Sequence, residues 1–350
     1  MHPLIQEILF RLQQIFWTAL SVLSLLKDRI VYGKSCCESK EHPKPKCLDG
    51  WDERFIQLER VRLHYVQTGE DDKPLLLMLH GFPEFWYSWR FQLRHFADKY
   101  RCIAVDQRGY NLSDKPQNVE EYQIDFLIND VKELIERLGY KRIFLMGHDW
   151  GAAVAWQFAL VYPEFVEKLV ILNVPHPNAM MDLLKTSNEQ RLKSWYIFMF
   201  QTPKIPEMVV QSRDLHMLDL SFRGKKAGIR NKENFTDEDL EAWKHVFSQE
   251  GALTGPINYY RNIRKRIPLK GDQNICKPPT LIVWGDGDPF LMKEGATKSL
   301  DYCRDGHLEF IEGASHWVMQ DEPQKVNKLV EDFLSKTDGT IDNELASSKI

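Results

Sequence analysis

An aspartate stands between two glycines in Gly147-His148-Asp149-Trp150-Gly151, directly after an apolar run ending at Met146 and directly before a helical pattern. A small-x-nucleophile-x-small pentad at a strand-to-helix junction is the pattern of a nucleophile elbow. The glycines there allow a turn tight enough to lift the central side chain above a sheet. A serine in that place would need a base to deprotonate it. An ionised carboxylate is already a nucleophile, suited to saturated carbon and able to form an alkyl-enzyme ester. Taken alone, the pentad fits a glycine-rich turn without chemistry equally well. The rest of the constellation is what gives it meaning. His80-Gly81-Phe82-Pro83 follows the run Leu75 to Leu79, where a sheet carrying such an elbow supplies one oxyanion-hole amide. The second amide comes from the residue after the nucleophile, so the backbone N–H groups of Phe82 and Trp150 are the candidates. Downstream, Trp284-Gly285-Asp286-Gly287-Asp288 closes one apolar run and Ala314-Ser315-His316-Trp317 follows another. The chain order is then nucleophile, acid, histidine: Asp149, Asp288, His316.

Those residues can meet only if the runs before them are parallel strands that share a carboxyl edge. From Trp51 onward, short apolar runs alternate with helical patterns. Leu75 to Leu79, Cys102 to Val105, Ile143 to Met146, Leu169 to Leu172, Leu281 to Trp284 and Leu308 to Ile311 read as buried strands. Ile124 to Leu138, Ala152 to Tyr162 and Gln324 to Leu334 read as the helices between them. The alternation predicts an α/β fold, a mostly parallel sheet with helices on both faces. Phe55 to Leu58 and Val61 to Gln67 read as an antiparallel hairpin at its edge. Between about 174 and 268 the rhythm lapses into aromatic, Met-rich and charged helical segments without strands, which reads as an inserted cap.

The 350 residues include 46 Lys plus Arg and 50 Asp plus Glu, and the net charge of -4 offers no general attraction for nucleic acid. Six cysteines, none in a C-x-x-C pair, give neither a disulfide framework nor a zinc or redox site, and reduced thiols are expected. Leu12 to Leu26 carry no charge, and as a helix they extend ~22 Å, short of a ~30 Å hydrocarbon core. The apolar positions from Leu4 to Leu26 recur at helical spacing, as in an interfacial helix lying in the membrane plane. The organisation expected is a membrane-associated helix over 1–34, a charged, Pro-containing linker over 35–49, one α/β domain with its cap over 50–337, and a disordered tail over 338–350. The linker is expected to hold the helix away from the body.

On these residues the chain resembles the epoxide hydrolases of the α/β-hydrolase superfamily, most of all the animal membrane-anchored epoxide hydrolases of types 3 and 4. The marks that carry the resemblance are His80-Gly81-Phe82-Pro83-Glu84, Asp106-Gln107-Arg108-Gly109-Tyr110, the pentad around Asp149, Pro175-His176-Pro177-Asn178, Asn258-Tyr259-Tyr260-Arg261-Asn262 and Ser315-His316-Trp317. The match runs from about Asp52 to Leu334. It implies the α/β-hydrolase fold and a hydrolase acting on ether bonds, without metal or organic cofactor. It nominates Tyr196 and Tyr260, in the cap, as proton donors to the epoxide oxygen, and places Pro83 and Trp317 at the substrate pocket. Asn111 and Ala152 depart from the pattern, standing where many relatives have Gly.

The chemistry so implied begins with attack of Asp149 on an epoxide carbon while the two phenols protonate the developing alkoxide. His316, oriented by Asp288, then activates a water that hydrolyses the ester over the amides of Phe82 and Trp150. Lipid-like epoxides such as epoxy fatty acids are the substrates the apolar cap favours, a role in lipid metabolism. A dehalogenase with an Asp nucleophile is the rival enzyme, and a non-catalytic membrane-bound lipid carrier or signalling protein is the rival of another class. His80, His148 and His176 lack a repeated ligand spacing and read as loop and core hydrogen-bonding residues rather than metal ligands. Lys27, Arg29, Lys34, Lys40, Lys44 and Lys46 follow the apolar stretch, so the positive-inside rule predicts a cytosolic catalytic domain if the segment spans, and an in-plane helix on the cytosolic leaflet gives the same side; the membrane expected is the endoplasmic reticulum. Asn111-Leu112-Ser113 and Asn234-Phe235-Thr236 are formal glycosylation triplets. The terminal Ser348-Lys349-Ile350 resembles a peroxisomal signal with its last residue changed.

Overall fold

The computed structural model describes residues 3–37, 40–265 and 267–336. The tail expected over 338–350, with its peroxisome-like triplet, lies outside the described residues. Eight strands form one sheet: β1 (Asp52–Gln57), β2 (Arg62–Thr68), β3 (Leu75–Leu79), β4 (Arg101–Asp106), β5 (Ile143–His148), β6 (Val166–Leu172), β7 (Thr280–Gly285) and β8 (Gly306–Ile311). Their order is β1-β2-β4-β3-β5-β6-β7-β8, with β1 and β2 antiparallel and all pairs from β4 to β8 parallel. Every residue of β3, β4 and β5 is buried, because helices cover both faces, and this is why the three strands read as unbroken apolar runs. β2 alternates less in sequence, and its buried His64 is matched to Asp106 of β4 at 2.7 Å.

The helices follow in chain order: α1 (Pro3–Tyr32), α2 (Arg90–Phe96), α3 (Ile124–Arg137), α4 (Trp150–Val161), α5 (Pro177–Thr186), α6 (Asn188–Lys193), α7 (Trp195–Met199), α8 (Ile205–Phe222), α9 (Asp237–Phe247), α10 (Thr254–Arg261), α11 (Glu294–Ser299), α12 (Val318–Asp321) and α13 (Pro323–Ser335). α5 to α10 make up the insertion between β6 and β7, and among the described residues it holds no strand. α8 is broken near its middle, where Arg213, Asp214 and Leu215 take left-handed backbone angles. α4, which follows the elbow, is apolar on all sides and lies deep in the core.

α1 is not held away from the body. It packs on α7 and α8 of the cap: Phe10 meets Phe198 with ring centroids at 5.1 Å, Trp17 meets Trp195 at 5.0 Å, and the Thr18 and Thr202 hydroxyls are 2.6 Å apart. The stretch expected to be a linker is docked as well. His42 presents Nδ1 to Glu241 at 3.0 Å and Nε2 to Asp214 at 2.8 Å, and the Cys47 amide donates to Glu238. Polar and charged sequence read as a separator because these partners are cap carboxylates 172 or more positions away, which local composition cannot show. Cys47, Cys102, Cys276 and Cys303 are free thiols.

Candidate active site

The site lies at the carboxyl edge of the sheet. β5 ends at His148, and the next residue, Asp149, takes φ 48 and ψ -122, a conformation seldom adopted away from glycine and one that holds the side chain clear of the turn. Close packing makes the turn possible. A Cβ on Gly151 would lie 2.0 Å from the Leu79 carbonyl oxygen, and one on Gly81 would lie 2.3 Å from Cβ of Asp149. Both positions therefore demand glycine. Ala152, where Gly was the pattern, is fully buried in α4. Asn111 has φ 41, in the region that Gly and Asn tolerate, and its amide donates to Asp106 at 2.7 Å, so its side chain fastens the turn that a glycine would leave loose.

The Phe82 amide donates to Oδ1 of Asp149 at 2.8 Å, and Oδ2 faces Nε2 of His316 at 3.4 Å. Trp150 opens α4, so its N–H has no partner within the helix. On the far side of the imidazole, Nδ1 lies 2.6 Å from Oδ2 of Asp288. That carboxylate is buried and fully engaged. Oδ1 accepts from the amides of Phe290 at 2.7 Å and Leu291 at 3.0 Å, and Oδ2 also accepts from the Asn173 side chain at 2.8 Å. Burial would lower the pKa of His316, but the charges and hydrogen bonds of Asp288 and Asp149 outweigh it and raise it to about 10. Burial would raise the pKa of Asp149, but the hydrogen bond and charge of His316, with the Phe82 amide, hold it below the usual carboxylate range.

Two cap tyrosines face this centre. The Tyr196 and Tyr260 rings are 5.8 Å apart and nearly perpendicular, and Tyr260 also stands edge-on to Phe82 at 5.5 Å and to Trp150 at 5.0 Å. Burial first, and then the Asp149 charge, raise the pKa of both phenols, so both keep their protons. The adjacent Tyr259 points elsewhere, its hydroxyl donating to the Arg108 carbonyl at 2.9 Å. Pro83 follows a cis peptide, and its carbonyl accepts from the cap indole of Trp243 at 2.8 Å. Trp317 comes to the base rather than to the phenols. Its ring meets His316 at 4.9 Å and His148 at 5.7 Å, and its indole N–H donates to the carbonyls of Ser221 and Ala227.

Three residues support the site, and of these Glu84 and Asn173 carry no role in the sequence reading, while His148 was read as a hydrogen-bonding residue. Glu84, wholly buried, accepts from the Gly81 amide at 2.9 Å and lies 2.6 Å from Nδ1 of His148, whose Nε2 is 2.8 Å from the His316 carbonyl oxygen. One carboxylate thus links the loop of Phe82 to the loop of His316. Burial alone would raise the pKa of Glu84, but the His148 charge and the Gly81 amide hold it low. Asn173 is the third. Its side chain donates to Asp288 and accepts from the Gly285 amide at 3.0 Å, which ties the ends of β6 and β7 together. The available signals were a charged residue inside the otherwise apolar loop Phe82–Trp86 and a polar residue at the carboxyl end of an apolar strand. His80 and His176 serve local hydrogen bonds: His80 Nδ1 contacts the Gly81 carbonyl, and His176 Nδ1 accepts the Asn178 amide and caps α5.

Comparison with known proteins shows what the whole chain is similar to. The family model described as alpha/beta hydrolase fold matches residues 74–323. The chain is similar to "Epoxide hydrolase 1" of Caenorhabditis elegans, with 53% identity over 94% of this chain and 82% of that protein. It is similar to human "Epoxide hydrolase 4", with 44% identity over 85% of this chain and 83% of that protein. Among solved structures, an epoxide hydrolase of Bacillus megaterium in complex with an inhibitor superposes with a TM-score of 0.75, at 33% identity, covering 81% of this chain and all of that one.

Proposed function

From the premise that the chain belongs to the epoxide hydrolases of the α/β-hydrolase superfamily, we propose that it converts lipid-like epoxides to vicinal diols through an ester on Asp149. One observation carries the reading. The two oxygens of Asp149 have different surroundings, Oδ1 on the Phe82 amide and Oδ2 turned toward His316.

Oδ2 attacks one epoxide carbon from the side opposite its C–O bond. That bond breaks, and the alkoxide takes a proton from Tyr196 or Tyr260. Phenols held protonated beside a carboxylate suit this task, because donation relieves no charge until the ring opens. Alkylation turns Asp149 into a neutral ester and so removes one of the two negative charges that hold a proton on His316. With its pKa lowered, His316 gives its proton to the tyrosinate left by ring opening, which restores the phenol and leaves a free imidazole as the base for the next step. His316 then takes a proton from water as the water oxygen adds to Cγ of Asp149, and the oxyanion forms on Oδ1 against the amides of Phe82 and Trp150. Collapse expels the second alkoxide, which recovers the proton from His316. The remaining water proton passes from the Asp149 carboxyl to His316, which restores the starting ion pair, and the diol leaves. Asp288 holds His316 in one tautomer through Nδ1–H. Trp317 braces the ring from behind, and Pro83 contributes to the wall beside Phe82.

The aromatic surroundings of the phenols, Phe82, Phe200 and Phe290, support an apolar substrate. The domain plan belongs to the same reading: helix to 34, connecting segment over 35–49, and hydrolase domain over 50–337 with its cap near 174–268. So does attachment to the cytosolic face of a membrane. Asn111 is buried on Asp106, and the Asn234 amide donates to the Asp321 carbonyl at 3.0 Å, so neither triplet presents a free amide for a glycan.

His316→Gln tests the reading. Ester formation should continue while its hydrolysis stops, and a covalent adduct of substrate mass should accumulate on the peptide containing Asp149, detected by mass spectrometry. Full turnover by that variant sinks the assignment.

A further inference from the structure

The two sides of α1 differ in what they meet. Phe10, Trp17, Ser21 and Leu25 recur every four or seven positions and, with Thr18 beside Trp17, form a seam on the cap, with Ser21 and Leu25 buried. Away from the seam, Leu9, Leu12, Phe16, Leu20, Leu23 and Leu26 are each more than 40% exposed, a continuous apolar stripe that no part of the described chain covers. From Ile8 to Leu26 the only charge is Arg11; Glu7 precedes this stretch and Lys27, Asp28 and Arg29 follow it, so the stripe itself has no acidic residue and the charges around it, Arg11 included, are basic in excess. An apolar helix face without acidic residues, with basic side chains in excess around it, matches a phospholipid leaflet, with acyl chains against the stripe and phosphates near Arg11, Lys27 and Arg29.

By length and composition α1 qualifies to cross a membrane, and the seam decides against it. At its start, Glu7 is paired with Arg264 at 2.6 Å, and the Arg264 guanidinium lies 4.5 Å over the Phe10 ring. At its end, the Arg213 guanidinium lies 4.6 Å over the Tyr32 ring. Glu7 and Tyr32 are separated by ~38 Å of helix, more than the ~30 Å hydrocarbon core. Both arginines belong to the one cap. A spanning α1 would set them at opposite faces of the bilayer and immerse the cap between them in hydrocarbon, with its charged residues unsolvated. The same seam rests on α7, the short helix that carries Tyr196 on its other side: Trp195 meets Trp17, and Tyr196 meets Tyr260.

We propose that α1 lies in the plane of a single phospholipid leaflet as the outer layer of the cap, holding α7, and with it Tyr196, against the active site at the membrane surface. The link to Tyr196 rests on the function proposed above; the lipid contact does not. In this arrangement an epoxide dissolved in the leaflet starts one helix away from the phenols, and Phe10 and Trp17 are positioning residues.

Three measurements on the full chain, reconstituted in vesicles of phosphatidylcholine with a minor share of phosphatidylserine, test it. With an epitope tag ahead of Met1, external protease should remove the tag from the molecules whose catalytic domain it digests. A tag protected on those molecules means that α1 crosses the bilayer and overturns the proposal. Combining Leu12→Asp with Leu23→Asp should lower vesicle flotation at least ~tenfold while diol formation from a water-soluble epoxide stays unchanged. Undiminished flotation overturns it. Trp17→Ala should slow ester formation on Asp149 several-fold with ester hydrolysis unaltered, and Trp17→Phe should restore it. Equal slowing of both steps, or of neither, removes α7 support from the proposal. If the wild type forms no diol in detergent, the proposed function fails, while tag accessibility and flotation still report on the helix.

Discussion

Asp288→Asn is the sharpest perturbation of the site, because every lone-pair direction of that carboxylate is in use. Oδ1 accepts from two backbone amides at 2.7 and 3.0 Å, and Oδ2 faces Nδ1 of His316 at 2.6 Å and Asn173 at 2.8 Å. A carboxamide has one acceptor oxygen and one donor NH2, so either orientation sets a donor against donors, leaving one or two buried groups unsatisfied at ~1–3 kcal/mol each. The charge lost matters as well. His316 is raised from 6.5 to about 10, worth about 5 kcal/mol between its protonation states, and Asp288 and Asp149 share that effect. Removing Asp288 therefore withdraws about half of it, ~2–3 kcal/mol. Once Asp149 is an ester, Asp288 is the remaining carboxylate at the imidazole, so the loss falls on the hydrolytic step, together with loss of the required tautomer. Rapid-quench mass spectrometry of a single turnover should show ester formation close to wild type and ester hydrolysis slower by about 10³ to 10⁴. Hydrolysis at the wild-type rate, or both steps slowed by one factor, would refute the assignment of Asp288 to orientation of His316.

Tyr196→Phe and Tyr260→Phe should each slow ester formation by roughly 10- to 1000-fold, and the double variant should abolish it, with hydrolysis of a preformed ester unaffected; stopped-flow kinetics of adduct formation would return either tyrosine to packing if its variant matches wild type. Glu84→Gln leaves the His148 ring facing a weaker acceptor and should cost ~1–3 kcal/mol in urea unfolding while slowing ester hydrolysis more than ester formation. Because the pKa of His316 is raised in the folded chain, its stabilising contribution is complete below 6.5 and is lost as pH rises through about 10, so unfolding free energy should fall across that window and fall less in Asp288→Asn. Gly151→Ala forces a Cβ to 2.0 Å from the Leu79 carbonyl and should cost at least about 3 kcal/mol, read as a lowered thermal midpoint; an unchanged midpoint would mean the elbow is looser than its packing indicates.

The chemistry-bearing residues were legible in the sequence because the features that place them are local. A strand buried on both faces must be an apolar run, so β3, β4 and β5 announce themselves, and a turn of the kind around Asp149 must be flanked by small residues. Order along the chain then brings Asp149, Asp288 and His316 to one edge, since parallel strands end together. The cap was legible as a break in that rhythm, and the choice of Tyr260 over Tyr259 needed the family motif. What only the tertiary structure decided depends on contacts between distant segments. Glu84 and Asn173 gain their importance from His148, Gly285 and Asp288, partners that periodicity cannot assign. The amino-terminal segment shows the limit most clearly. Amphipathic spacing marked a helix and its apolar face, but the seam that joins it to the cap is made of Phe10, Trp17 and Thr18 against Phe198, Trp195 and Thr202, nearly 180 residues away or more. Aromatic and hydroxyl side chains read the same whether lipid or protein covers them, and only the fold determines which face each one meets.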